Sequence, residues 1–183
     1  DVAPSRGLGD VYKRQEHHAG TAKRFAPRTA ETTMAEEIIV VDPIAKIKSN
    51  TICYTAEKDK PISVNIAKHP QFISNEYIDG QGIFTFKNKI TSIPEKAFFD
   101  CSKLDSIIIP ESVTEIGNSV FTRCHYLKMV YCQSTTPPTL GENAFSNISR
   151  EAKICVPKNS VALYKSANGW KDYASKIVGC DFK

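Results

Sequence analysis

Two stretches of the chain match each other position for position at an offset of 23 residues, ITSIPEKAFFDCSKLDSIII and VTEIGNSVFTRCHYLKMVYC. The paired positions are Ile90/Val113, Ile93/Ile116, Ala97/Val120, Phe98/Phe121, Cys101/Cys124, Leu104/Leu127, Ile107/Val130 and Ile109/Cys132. A single unit of this length cannot bury its own apolar side. Apolar residues that return at fixed rank therefore describe a chain whose successive turns stack on a shared core. The expected architecture is mixed β/α: a short solenoid of about three rungs, with a β-rich cap before it and a helical cap after it.

Each unit reads in three parts. Leu104-x-x-Ile107-x-Ile109 ends in alternation, which predicts a strand with Ile107 and Ile109 on one face and Ser106 and Ile108 on the other. Pro110 ends that strand by removing a ladder donor. Val113 and Ile116 then turn inward, and Gly117 is expected to supply a positive φ. Val120, Phe121 and Cys124 return at spacings of one and three, which suits one irregular helical turn. A third unit follows: LGENAF repeats IGNSVF at an offset of 24, and ICVP repeats IIIP at 47, with an insertion around Ser146–Glu151. The intervening QSTTPPT, with its paired prolines, reads as an extended link.

The segment AFFDCSKLDSIIIPESVTEIG (Ala97–Gly117), with its Ala-Phe, Cys, Leu, Ile-x-Ile-Pro and Ile-Gly elements, resembles the leucine-rich repeats of the BspA-like type. The tail TTPPTLGENAF…ICVPKNSVALYKSANGWKDYASKI is similar to the closing segment of short members of that family. The resemblance covers roughly residues 90 to 180. It implies a short leucine-rich-repeat solenoid, a binding role, and a location on a bacterial cell surface or outside the cell. Two positions depart from the pattern: Pro94 stands where a repeat glycine is expected, and Gln133 where the strand-ending proline is expected.

Outside the repeats (residues 90–157), residues 34–89 read as a β-rich N-terminal cap and 158–183 as a helical C-terminal cap. TICYTA and PISVNIA are β-rich runs, and FISNEY and GIFTFKN flank a hairpin turn carrying Asp79-Gly80 and Gly82. Val161, Tyr164, Ala167, Trp170, Tyr173 and Ile177 recur every three or four residues, an amphipathic helical pattern. Asn159 or Ser160 is its N-cap, and Asn168-Gly169 breaks it into two short helices. Trp170 reads as the plug over the last rung rather than a ligand-stacking platform. Residues 1–33 hold few apolar residues and read as a disordered leader. Within them DVYKRQ is also what a transposon-end sequencing adapter gives on translation, so Met34 is the expected natural start.

The net charge of +4 divides evenly, with six basic against four acidic groups in the leader and eighteen against sixteen in the rest. So mixed a balance argues against nucleic acid as a partner. No apolar run approaches a membrane span, so membrane insertion is not expected. The six cysteines include no Cys-x-x-Cys pair and no Cys/His set at ligand spacing, so neither metal nor another cofactor is expected. Cys101 and Cys124 hold equivalent ranks and read as buried free thiols serving as small hydrophobes. Free thiols and the absence of a secretory signal after Met34 suit a reducing compartment, whereas the family resemblance implies the cell surface.

For catalysis the sharpest arrangement is Cys124 beside His125, and adjacent residues rarely aim their side chains at one another. Glu36 and Glu37, and Glu57 and Asp59, read as surface charge, and Gly80-x-Gly82 as a turn rather than a phosphate loop. What remains is the strand face turned from the core: Ser106, Met129 and Lys153 at one rank, Ile108, Tyr131 and Cys155 at the next, flanked by Asp105 and Lys128. Ile108, Met129 and Tyr131 are expected to make a solvent-facing apolar patch of the kind that marks contact sites. The expected role is a non-enzymatic module that binds protein or glycan, monomeric or weakly self-associating. A structural spacer or assembly unit of a surface or phage-like particle is the alternative.

Overall fold

A computed structural model describes residues 45–57 and 60–183, and the expected leader, Met34 and the start of the N-terminal cap lie outside them. The alternating run predicted in the first repeat forms strand β5 (Leu104–Ile109), and its equivalents form β7 (Met129–Cys132) and β9 (Lys153–Pro157). The three pair in parallel, with Ile107 opposite Val130 and Val130 opposite Ile154. The offset read from the sequence is thus the register of the sheet.

A smaller parallel sheet runs behind it, from β4 (Ser92–Ile93) through β6 (Glu115–Ile116) to β8 (Thr139–Leu140). Here Gly117 and Gly141 repeat, for a reason other than the one expected. Neither has a positive φ. A Cβ on Gly141 would stand 2.4 Å from the carbonyl carbon of Gly117, and one on Gly117 2.7 Å from the amide nitrogen of Glu95. The glycines let one turn lie directly on the backbone of the turn before it. Pro94 belongs to the turn that carries β4, which among the described residues is the edge of this sheet.

Positive φ appears instead at Lys96, Ser119 and Asn143, and again at Asp100, Arg123 and Asn147. These residues belong to the segment expected as a helical turn, which is a run of tight turns. Alternate amides bond the next repeat, while those between them, such as Ala97, Phe99 and Cys101, bond within their own turn. Lys96, Phe98 and Asp100 N–H groups donate to Asn118, Val120 and Thr122 carbonyls, at 3.0, 3.0 and 2.9 Å. Ser119, Phe121 and Arg123 repeat this to Glu142, Ala144 and Ser146, at 2.9, 2.8 and 3.0 Å. These inter-turn bonds satisfy the buried backbone and offset the cost of left-handed residues that are not glycine.

Inside, Phe98 stacks on Phe121 (centroids 5.3 Å apart, planes at 9°) and Phe121 on Phe145 (5.2 Å, 5°). Phe84 extends the column at one end and Trp170 at the other, each at 5.8 Å. Leu104 and Leu127 are fully buried beside it. Burying each such side chain contributes roughly 1.5–3 kcal/mol.

Before the repeats, FISNEY and GIFTFKN do form a hairpin, β2 (Phe72–Ile78) and β3 (Gln81–Phe86). Asp79 and Gly80, at φ 49° and 84°, make its turn. Gly82 lies within β3, where the Tyr54 ring covers the space a Cβ would take. That tyrosine belongs to β1 (Thr51–Ala56), which inserts antiparallel between β3 and β5. Among the described residues the large sheet is therefore seven strands wide, in the order β10-β9-β7-β5-β1-β3-β2. PISVNIA is not a strand. Asn65–Lys68 is a 3-10 turn whose Ile66 N–H donates to Ala97 O at 3.1 Å, continuing the inter-turn ladder.

After the repeats, a 3-10 turn (Lys158–Ser160) leads into α1 (Val161–Ser166), and Gly169, at φ 79°, separates it from a second 3-10 turn at Trp170–Tyr173. Ser160 precedes α1 as expected but does not cap it, because its hydroxyl donates to Thr135 O at 2.7 Å. Trp170 is fully buried, with Nε1 donating to Pro138 O at 2.7 Å. Ile177 does not continue a helix. It opens β10 (Ile177–Cys180), which pairs in parallel with β9.

Candidate binding face

The outer face of the large sheet is set by strand pairing. One row runs Thr55, Ser106, Met129, Lys153 across β1, β5, β7 and β9. The next runs Ile83, Cys53, Ile108, Tyr131, Cys155, Val178. The ranks expected for Ser106, Met129 and Lys153, and for Ile108, Tyr131 and Cys155, are the observed ones.

Exposure differs between the rows. Thr55, Ser106 and Met129 are partly exposed and Lys153 is exposed. Asp105 and Lys128 flank this row as an ion pair at 2.9 Å, with side chains 41% and 62% exposed. Such a pair adds little stability but fixes the position of two charges. Thr55 ties β1 into the same group, its hydroxyl 2.7 Å from that of Ser106 and donating to Asp105 Oδ2 at 3.3 Å.

The apolar patch expected of Ile108, Met129 and Tyr131 requires correction. Ile108 is 2% exposed, and Cys53 of β1, its partner across the sheet and a neighbour that a reading confined to the repeats omits, is 1% exposed. Cys155 is fully buried and joined to Cys180 in a disulfide, so it is neither a contact residue nor a free thiol. Tyr131 is half-buried. The accessible part is therefore the polar-edged row from Thr55 to Lys153, with Met129 at its middle.

Gln133 extends this order past the end of β7. Standing where the repeat proline is absent, it is 1% exposed, and its side chain donates to Ala45 O at 2.6 Å and accepts from Ile47 N–H at 3.1 Å. The departure noted in the sequence is thus a clamp on the segment leading into β1. Thr55 and this clamp were missed because the strand pattern of TICYTA does not say where in the sheet the strand lies.

No such order surrounds the Cys124/His125 pair. Cys124 is buried, its thiol donates to Phe98 O at 3.0 Å, and burial pushes its pKa up to about 12. Such a thiol is not a nucleophile at neutral pH. A shallow hollow beside His125 is lined by Asn147, Ile148, Ser149, Arg150 and Lys176, and the Lys176 ammonium donates there to the carbonyls of Ser149 and Arg150. Among the described residues no three His, Cys, Asp or Glu side chains converge as a metal set, and no helix is long and apolar enough to cross a membrane.

Parallel strands in register, glycines seated on the turn before and a continuous aromatic column define a β/α repeat protein of the leucine-rich class. Residues 72–168, just over half of the chain, match the family described as BspA type leucine rich repeat region (6 copies), and the chain belongs to that family. The match begins at β2, before the repeats legible by eye. No curated protein matches the chain. Leucine-rich repeats of this kind are protein-interaction modules, and the family is generally non-enzymatic.

Proposed function

We propose that this chain is a small, non-enzymatic interaction module that binds a protein through the outer face of its seven-stranded sheet. In this reading the repeats coil as a three-turn solenoid over residues 90–157. The segment from β1 to β3 closes one end and residues 158–183 the other. The observation that carries the reading is the Thr55, Ser106, Met129, Lys153 row, with its Asp105–Lys128 pair, which stays accessible beside the buried row of the same face.

Size sets the strength of such binding. The four strands that carry this row, at about 4.8 Å spacing and about 13 Å of width, offer at most roughly 250 Å², against about 800 Å² per partner in a stable complex. Binding by one copy is therefore weak, and several copies acting together gain by avidity.

The test compares capture from the native cell envelope by the full chain and by its Met129→Ala/Lys153→Ala variant. Both positions face solvent on one strand row, so stability is expected within about 0.5 kcal/mol of wild type while capture falls at least tenfold. Unchanged capture moves the site off this face. A captured glycan would change the partner class, and a stable, concentration-independent oligomer would favour an assembly unit instead.

A further inference from the structure

The chain carries six cysteines, and the fold treats two of them unlike the other four. Cys155 on β9 and Cys180 on β10 are bonded, with Cα atoms 5.7 Å apart, a span typical of disulfides. Cys53, Cys101, Cys124 and Cys132 are free and buried. Cys132 Sγ lies 3.3 Å from the Tyr164 hydroxyl, and Cys124 is held by Phe98 O. Burial pushes the Cys53 thiol up to about 12 and that of Cys132 to about 11, and shifts Cys101 the same way. Exchange proceeds through an accessible thiolate, which these four do not offer.

Cys180 differs. It is partly exposed and ends a strand of four residues that pairs, among the described residues, with β9 alone. Of that strand only Ile177 is buried, at 3% exposure. A short edge strand with one buried residue makes few buried apolar contacts, the mark of low local stability.

We propose that Cys155 and Cys180 form a selective thiol–disulfide exchange site, and that their bond latches strand β10 onto the edge of β9. The oxidant is a low-molecular-weight disulfide. The Cys180 thiolate attacks one of its sulfurs and expels one small thiolate. The Cys155 thiolate then attacks the Cys180 sulfur of the mixed disulfide and expels the second. Two protein thiols are oxidised, one small disulfide is reduced to two thiols, and the protons of the cysteines end on the leaving thiols. A dithiol drives the reverse reaction, entering at the more accessible Cys180 sulfur. In the reduced chain β10 loses its covalent tie and keeps its ladder, Ile177, the approach of Gly179 to Lys158 and Val161 and the Lys158–Asp181 ion pair just beyond its end, and the edge of β9 opens more readily. The inference stands independently of the binding face.

The test treats the full chain with oxidised glutathione and then with dithiothreitol, and follows both states by alkylation with peptide mass mapping and by amide hydrogen exchange. The expected oxidised state has one disulfide, Cys155–Cys180, with the other four thiols alkylated only after denaturation. On reduction, amides of Ile177–Cys180 should exchange at least tenfold faster while those of β5 and β7 are unchanged. A Cys180→Ser variant should show the fast pattern without reductant, and Cys53→Ser should behave as wild type. Oxidation of another pair, Cys101–Cys124 above all, overturns the selectivity. Equal protection of β10 before and after reduction overturns the latch, and the wild-type arms decide this even if a variant fails to fold.

Discussion

Gly141 and Phe121 show how little freedom a stacked turn leaves its residues. Gly141 N–H donates to Ile116 O at 2.7 Å, which draws its Cα onto the Gly117–Asn118 peptide. Any Cβ there collides with backbone, and backbone cannot rotate away as a side-chain tip can. Gly141→Ala is therefore expected to cost about 1–3 kcal/mol, as overpacking does, read as a lower urea midpoint at constant slope. An unchanged midpoint would mean the turns lie further apart than the structure has them. Phe121 is held on both ring faces, by Phe98 and Phe145, so its rank in the repeat is fixed by two neighbours at once.

At the scale of the element, the segment after the repeats decides whether the column ends dry. Trp170 covers Phe145 and meets the Tyr164 ring at 4.8 Å, edge to face. Trp170→Ala removes that cover and strands Pro138 O, and is expected to cost about 3–5 kcal/mol. Near-UV circular dichroism and thermal melting would show it, and a loss under 1 kcal/mol would mean Trp170 is not the plug. The elements legible in the sequence were those whose period admits one structure. β5, β7 and β9 alternate over an apolar row, and the Asp79-Gly80 turn forces its hairpin. β10 was hidden because Ile177 falls in phase with the preceding helical pattern and is buried either way. PISVNIA was misread because Ile62 and Ile66 are both buried, and a strand reading satisfies that spacing as well as the 3-10 turn that forms. The ranks of the outer sheet face were legible as well. The burial of Ile108 was not, and its partner across the sheet, Cys53, lies on β1 outside the repeats.

For the whole molecule, one consequence of the insertion of β1 is that the repeat frame extends further back than the strands suggest. β3 runs parallel to β5 through an intervening antiparallel strand. Its Phe84 and Phe86 stand 23 positions before Ile107 and Ile109, the offset of the repeats themselves. The core is therefore one continuous column from the N-terminal hairpin to Trp170, and the chain depends on contacts between equivalent residues of successive turns. Nuclear Overhauser spectroscopy on selectively labelled phenylalanine rings tests this most directly. Cross-peaks are expected from Phe98 to Phe121 and from Phe121 to Phe145, with none between Phe98 and Phe145. A direct Phe98–Phe145 contact, or no contact between Phe98 and Phe121, would contradict the stacking of turns on which the fold and its outer sheet face both depend.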